Sequence, residues 1–400
     1  MQTYLLDWAN LLLRWLHVIV GIAWIGASFY FVWLDNHLVK PTAEALKARG
    51  VDGELWAVHG GGFYNPQKYM VAPRDLPEHL HWFYWESYWT WMSGFALFVL
   101  LYLFNASSFL IDPQVHAWSS PAAAVAAALG FLVGGWIVYD GLCRLLGRTR
   151  NEAGQVVIGN DGRVLALMAG FVVFAAWAAC HLFAGRVAFL IVGAMLATMM
   201  SANVFFWIIP GQKTVIKDMR AGRRVDPIYG QRGKQRSVHN TYFTLPVLVA
   251  MLSNHYGWLY GHAGNWAILA ALMFVGALVR TFFVKRHKGV NAWGLVAIVL
   301  ALLAALIVLL VPQEQAVSAS APAPTTAQVF AIAQQRCLPC HGAAFAQKDV
   351  HLQSPELIDQ HAQQIYQQVV LQKTMPLNNA TQITDDERAL IGRWFQARRP

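Results

Sequence analysis

Charge is what this chain has least of. Asp, Glu, Lys and Arg together make up 13% of 400 residues, while 56% are apolar. So few charged side chains cannot cover the surface of a water-soluble domain, and that class is excluded. Cysteine is also scarce, at four residues. Cys143 and Cys180 each lie alone in an apolar stretch and read as inert buried thiols, so no disulfide framework is implied. Acidic residues are outnumbered, 21 against 30, giving a net charge of +9. The excess sits in short loops between apolar runs rather than in one basic stripe, which argues against nucleic acid as a partner. No cleavage-site pattern follows the first apolar run, which therefore reads as a retained helix. No clear internal repeat is found, which weighs against a transporter.

What is present in quantity is long apolar runs. About twenty apolar residues cross a bilayer as a helix. Eight such spans are read at roughly 10–34, 82–105, 122–146, 164–183, 187–209, 238–256, 265–284 and 291–311. The fold expected is all-α, a polytopic bundle of about eight membrane helices. Basic residues alternate between its loops. Lys40, Lys47, Arg49, Lys68 and Arg74 follow the first span, and the loop around Asp112 has none. Arg148 and Arg150 follow the third, and Arg186 stands alone after the fourth. The fifth loop carries Lys213, Lys217, Arg220, Arg223, Arg224, Arg232, Lys234 and Arg236. The sixth has none between His255 and Asn265, and the seventh carries Lys285, Arg286 and Lys288. The basic side faces the cytoplasm. A multi-pass protein of a bacterial inner membrane is expected, with both termini in the periplasm.

After residue 311 the composition changes. Residues 312–326 are rich in Ala, Pro and Ser and read as an extended linker. Residues 327–400 then read as a small all-α cytochrome c domain, because they contain Cys337-Leu338-Pro339-Cys340-His341. Cys-x-x-Cys-His attaches c-type haem: two thiols a helical turn apart bond the porphyrin vinyl groups, and the His supplies the proximal nitrogen. Zinc would need a second ligand pair, and no other Cys lies in this domain. Met375, in Lys373-Thr374-Met375-Pro376, is the expected sixth ligand, with His351 and His361 as rivals. Thr384-Asp385-Asp386-Glu387 reads as a capping box that starts a last helix. Its Leu390, Ile391 and Trp394 should pack on Val329, Phe330 and Ile332.

A carrier of this kind needs no bundle, so polar residues inside the spans are the clues to what the bundle does. His17, His181, Asn254, His255 and His262 lie toward the outer face. Asp35, His37, His79, His81, Glu86, Asn203, Arg236, His239 and Asn240 lie toward the inner one. Many of these histidines sit at helix ends, where they snorkel and need no role. Glu86 wants a partner, with Arg236, His239 or His81 as candidates. His17 lies among small residues, Gly21 and Gly26, which allow a helix or a flat cofactor to come close. It is either a hydrogen-bonded core residue or a ligand of a haem b, with His181 or His255 as the second ligand.

Several of these stretches together resemble the bacterial membrane-bound urate hydroxylase (urate oxidase) family with a C-terminal fused cytochrome c domain. They are Trp85-Glu86-Ser87-Tyr88-Trp89-Thr90-Trp91, the segments 203–206 and 209–212, the segment 233–246, and Ser253-Asn254-His255-Tyr256. With the first helix, the resemblance covers most of residues 1–311. It implies oxidation of urate to 5-hydroxyisourate, with electrons leaving through haem c to a respiratory oxidase or a soluble cytochrome c. Catalytic roles are assigned here by chemistry. Arg236 or Lys234 would hold the urate anion, and Asn240 or Asn203 would bond its ring amides. Tyr242 or Trp89 would stack on it, and His239 or Glu86 would take a proton. The alternative from another class is a non-catalytic conduit passing electrons from quinol to a periplasmic acceptor.

Overall fold

The computed structural model describes residues 2–311, 323–343, 346 and 349–398. Eight long helices appear where the apolar runs predict them. They are α1 (Gln2–His37), α2 (Trp85–Phe98), α3 (Pro121–Leu145), α4 (Asp161–Leu182), α5 (Gly185–Asn203), α6 (Pro227–Leu252), α7 (Asn265–His287) and α8 (Trp293–Leu309). Five of them, α1, α3, α4, α5 and α7, are long and apolar enough to cross a membrane. The other three fall short for visible reasons. α6 carries the polar residues of the site, α8 is only 17 residues long, and α2 passes into a π-helical turn, Val99–Leu103.

α5 is the centre of the bundle, packed by α2, α3, α4 and α6. Phe189, Ile191, Val192, Met195 and Met199 are fully buried on it. α1 and α8 are its opposite. The most apolar stretch of α1 buries nothing, and α8 buries only Val299. Trp15, Ile22 and Ile307 stand out on these helices, each about two-thirds exposed. Apolar surface of that extent is stable only against lipid or a partner.

The loops sort onto two faces as the charge alternation requires. On the basic face, Arg220 donates to the Glu78 carbonyl at 3.2 Å. The Ile158 amide meets Gln231 at 3.1 Å, and His37 lies ring-to-ring with His287. On the other face, the Ala184 amide donates to Leu110 O at 3.0 Å, and Arg186 reaches Asn254 at 3.2 Å. The loops of the basic face hold more structure than their polarity predicts. Ala57–His59 and Gly62–Tyr64 form a hairpin, and Arg148–Arg150 pairs with Val156–Ile158. The first hairpin turns on Gly60 and Gly61, both at positive φ, the two-residue turn that glycine alone makes without strain.

The C-terminal residues form a separate helical unit with its own core of Val329, Ala333, Leu352, Ile358, Val369, Ile391 and Trp394. Its main helices are α9 (Thr326–Arg336), α10 (Pro355–Gln360) and α11 (Asp385–Gln396). Thr384 and Glu387 form the expected capping box on α11, whose Trp394 donates to Thr326 Oγ1 at 3.2 Å. Most of the expected linker, 312–322, lies outside the described residues. The unit rests on the face poor in charge, with Leu377–Asn379 against Ala106–Phe109. Gly257 allows the chain at Gln372 and Thr374 to come close, since a Cβ there would meet Thr374.

Candidate functional site

In the C-terminal unit, Cys337 follows α9 directly, and Leu338–His341 makes one helical turn. Cys337 and Met375 pack against the same core. Burial pushes the Cys337 thiol up to about 11. His341 Nδ1 lies 2.9 Å from the Val350 carbonyl, which places its proton on Nδ1 and leaves Nε2 for a metal. The Met375 backbone is tied on both sides: its amide donates to Gln368 O at 3.1 Å, and its carbonyl accepts from Arg388 at 2.9 Å. His361 is engaged by Gln364 at 2.6 Å, and His351 by Asp349 at 3.5 Å. The donor set of two thiols, an imidazole with a free Nε2 and a thioether fits a c-type haem.

The second site lies inside the bundle toward the basic face, where α3, α5 and α6 meet. Arg236, His239 and Asn240 follow one another along one side of α6, and all three are buried. Arg236 Nη2 donates to Asp140 at 2.7 Å, and its Nη1 donates to Asn203 at 3.2 Å. Asn203 Nδ2 donates to Asn240 Oδ1 at 2.8 Å and to the Tyr139 hydroxyl at 3.0 Å. Asn240 in turn donates to the Met200 carbonyl at 3.0 Å. The Tyr139 hydroxyl lies 2.9 Å from His239 Nδ1. Its oxygen already accepts from Asn203, so its proton points to His239, and the imidazole carries its own proton on Nε2. That Nε2 is buried without a hydrogen bond, 3.7 Å from Asp161, whose side chain is 46% exposed. Gln235 holds Asp161 at 2.6 Å. Trp207, in the π-helical turn Val204–Ile208 that extends α5, donates to Asp140 at 2.7 Å. Such turns re-aim side chains and recur at functional sites.

The structure brings Arg236, His239, Asn240 and Asn203 into one network but leaves Glu86 out. Glu86 is half-buried in the first turn of α2, and its carboxylate has no partner among the described residues. The expected pairing with Arg236 or His239 is corrected to Asp140 and Tyr139, because α3, not α2, supplies the wall facing α6. Lys234 and Trp89 are exposed. The histidines read as ligands of a second haem are engaged separately. His17 Nδ1 lies 3.0 Å from Ser93, His181 Nδ1 lies 2.7 Å from the carbonyl of Trp177 on its own helix, and His255 is exposed. No described contact joins any two of them. Close packing at His17 comes from Gly94 of α2, where a Cβ would meet the ring at 2.8 Å. Gly21 and Gly26 face open space instead. Sequence reasoning missed Tyr139, Asp140, Asp161 and Trp207. Asp140 gave little signal, because Arg144 four residues on makes it read as one half of an ordinary interfacial pair.

A family model described as urate oxidase N-terminal matches residues 3–311. No curated protein and no solved structure matches the chain.

Proposed function

Because the chain belongs to the urate oxidase N-terminal family over most of its length, we propose that it is a membrane-bound oxidoreductase. It hydroxylates urate to 5-hydroxyisourate and sends the electrons out through a haem c on the C-terminal unit. The overall change consumes water and releases two protons and two electrons. Haem c, when bound at Cys337, Cys340, His341 and Met375, accepts electrons one at a time.

The observation that carries the reading is His239. It is fully buried, with Nδ1 on the Tyr139 hydroxyl and Nε2 directed to a half-exposed carboxylate. That is a path for a proton. A proton taken from the substrate by the oxygen of Tyr139 is matched by transfer of the hydroxyl proton to His239 Nδ1. His239 then gives up its Nε2 proton toward Asp161 and water at the basic face. The Arg236 guanidinium lies over the Tyr139 ring, 4.9 Å from its centre, a cation–π contact that holds the phenol in place. Asp140 keeps Arg236 in place. The network stays polar in an apolar bundle because its members satisfy one another.

The test uses isolated membranes kept anaerobic. Urate should reduce the c-type absorption band, and xanthine or a quinol should not. Reduction by quinol alone would make the bundle an electron conduit and remove urate as the substrate. Replacing His239 by Ala should abolish urate-driven reduction while leaving the haem c content and spectrum intact. An undiminished rate would remove His239 from the mechanism.

A further inference from the structure

At the basic face, three guanidinium groups surround one indole. From the centroid of the Trp207 ring, Arg144 Cζ lies 4.8 Å away, Arg236 Cζ 5.1 Å and Arg232 Cζ 5.7 Å. One carboxylate serves them. Asp140 accepts from Arg144 Nε at 2.6 Å, from Arg236 at 2.7 Å and from the indole itself at 2.7 Å. Asp140 therefore answers Arg144 and Arg236 and leaves Arg232 over. The Arg232 Nε is shut from solvent and makes no hydrogen bond. Its charged neighbours are Arg144 and Arg148, with Asp226 and Tyr229 on its own element. Asp226 also caps the helix, accepting from the Ile228 amide at 2.9 Å, and with Asp140 it makes two carboxylates against Arg144, Arg148, Arg232 and Arg236. Trp207 is half-buried, and Arg144 is 56% exposed, so the cluster opens to water.

Like charges gathered at a partly exposed aromatic surface, with too few carboxylates, are a receptor for an anion. The indole adds a requirement of shape. A flat ligand gains by stacking on it, which a tetrahedral headgroup cannot do. We propose that Arg232, Arg144 and Trp207 form a binding site for a planar organic monoanion of the oxidised-purine class. Arg232 is the group that the ligand's oxygens complete. This deepens the reading of urate as substrate and rests on it. Trp207 and Arg144 share Asp140 with Arg236, which sets the site at the edge of the Arg236–Tyr139–His239 network.

The experiment compares the full chain and its Arg232→Gln variant in native membranes, by the rate of haem c reduction at varied urate. KM should rise about tenfold, the loss that goes with one charge-assisted hydrogen bond, with kcat within about twofold. Arg232→Lys should recover part of the loss, and Trp207→Leu should raise KM while Trp207→Phe does not. Haem c content serves as the control for folding. An Arg232→Gln KM within about twofold of the parent overturns the site and leaves the oxidation reading standing. Equilibrium binding of radiolabelled urate separates the opposite case. Binding that requires Arg232, without any haem reduction in the parent, keeps the site and sinks the oxidation reading. Loss of the KM difference in bilayers free of anionic lipid would assign these guanidinium groups to lipid headgroups and overturn the proposal.

Discussion

Asp140 decides whether the buried network holds together. It accepts from Arg236, Arg144 and Trp207 at once. Asp140→Leu leaves the Arg236 guanidinium buried without its anion, a cost of about 3–5 kcal/mol. The variant should accumulate poorly in membranes, as read by haem c per unit of membrane protein. Adding Arg236→Met should restore the amount of protein, since an apolar pair of similar volume replaces a buried ion pair at little cost. It should not restore urate-driven reduction. Equal activity of the double variant and the parent would show that the pair is structural only. At this scale the sequence was half legible. Arg236, His239 and Asn240 announce themselves because they lie close together on one helix. Asp140 does not, because its partner is 96 residues away. A single carboxylate near the end of an Ala-rich helix reads as an interfacial acid.

Among the elements, the helices were legible for a simple reason. Long apolar runs leave the backbone no other way to satisfy its hydrogen bonds in lipid. The hairpins of the basic face were not, because strands of two or three residues carry no periodicity to read. The last helix was legible down to its cap. Glu387 closes the box with Thr384 and meets Arg336 at 3.1 Å. Burial alone would raise its carboxyl, but the Thr384 amide and Arg336 outweigh that and hold it below its usual range. A lowered folded value means stability that is present above the ordinary carboxylate range and lost as pH falls through the folded value. Glu387→Gln should therefore cost about 1 kcal/mol at neutral pH. Parent and variant should converge in acid, below the Glu387 value. Thermal unfolding followed by the haem band at several pH values checks this, and a pH-independent gap would refute it.

For the molecule as a whole, the two sites lie at opposite ends of the bundle. From Gly185, beside the C-terminal unit, to Asn203 in the network, α5 rises about 27 Å at 1.5 Å per residue. Pyridine haemochrome assay should find a covalent haem retained after acid–acetone extraction. Extractable haem would add a second centre inside the bundle, and covalent haem alone would remove His17, His181 and His255 as its ligands. The charge alternation made this polarity legible, because it placed the basic loops on one face and the C-terminal unit on the other. The side-chain network did not follow from it, since interhelical contacts depend on rotations about helix axes that hydropathy leaves free.

If urate is oxidised at the basic end as proposed, separation of the two ends would make the reaction a current. On the proposed reading, protons leave through Asp161 on the cytoplasmic side while electrons exit to a periplasmic unit, so each turnover would carry negative charge outward. The resting potential of a bacterial membrane, negative inside, favours that movement by about 2.3 kcal/mol per charge per 100 mV. Urate-driven reduction of haem c in energised right-side-out vesicles should therefore slow when an ionophore collapses the potential. Turnover indifferent to the potential would mean that proton and electron leave on the same side.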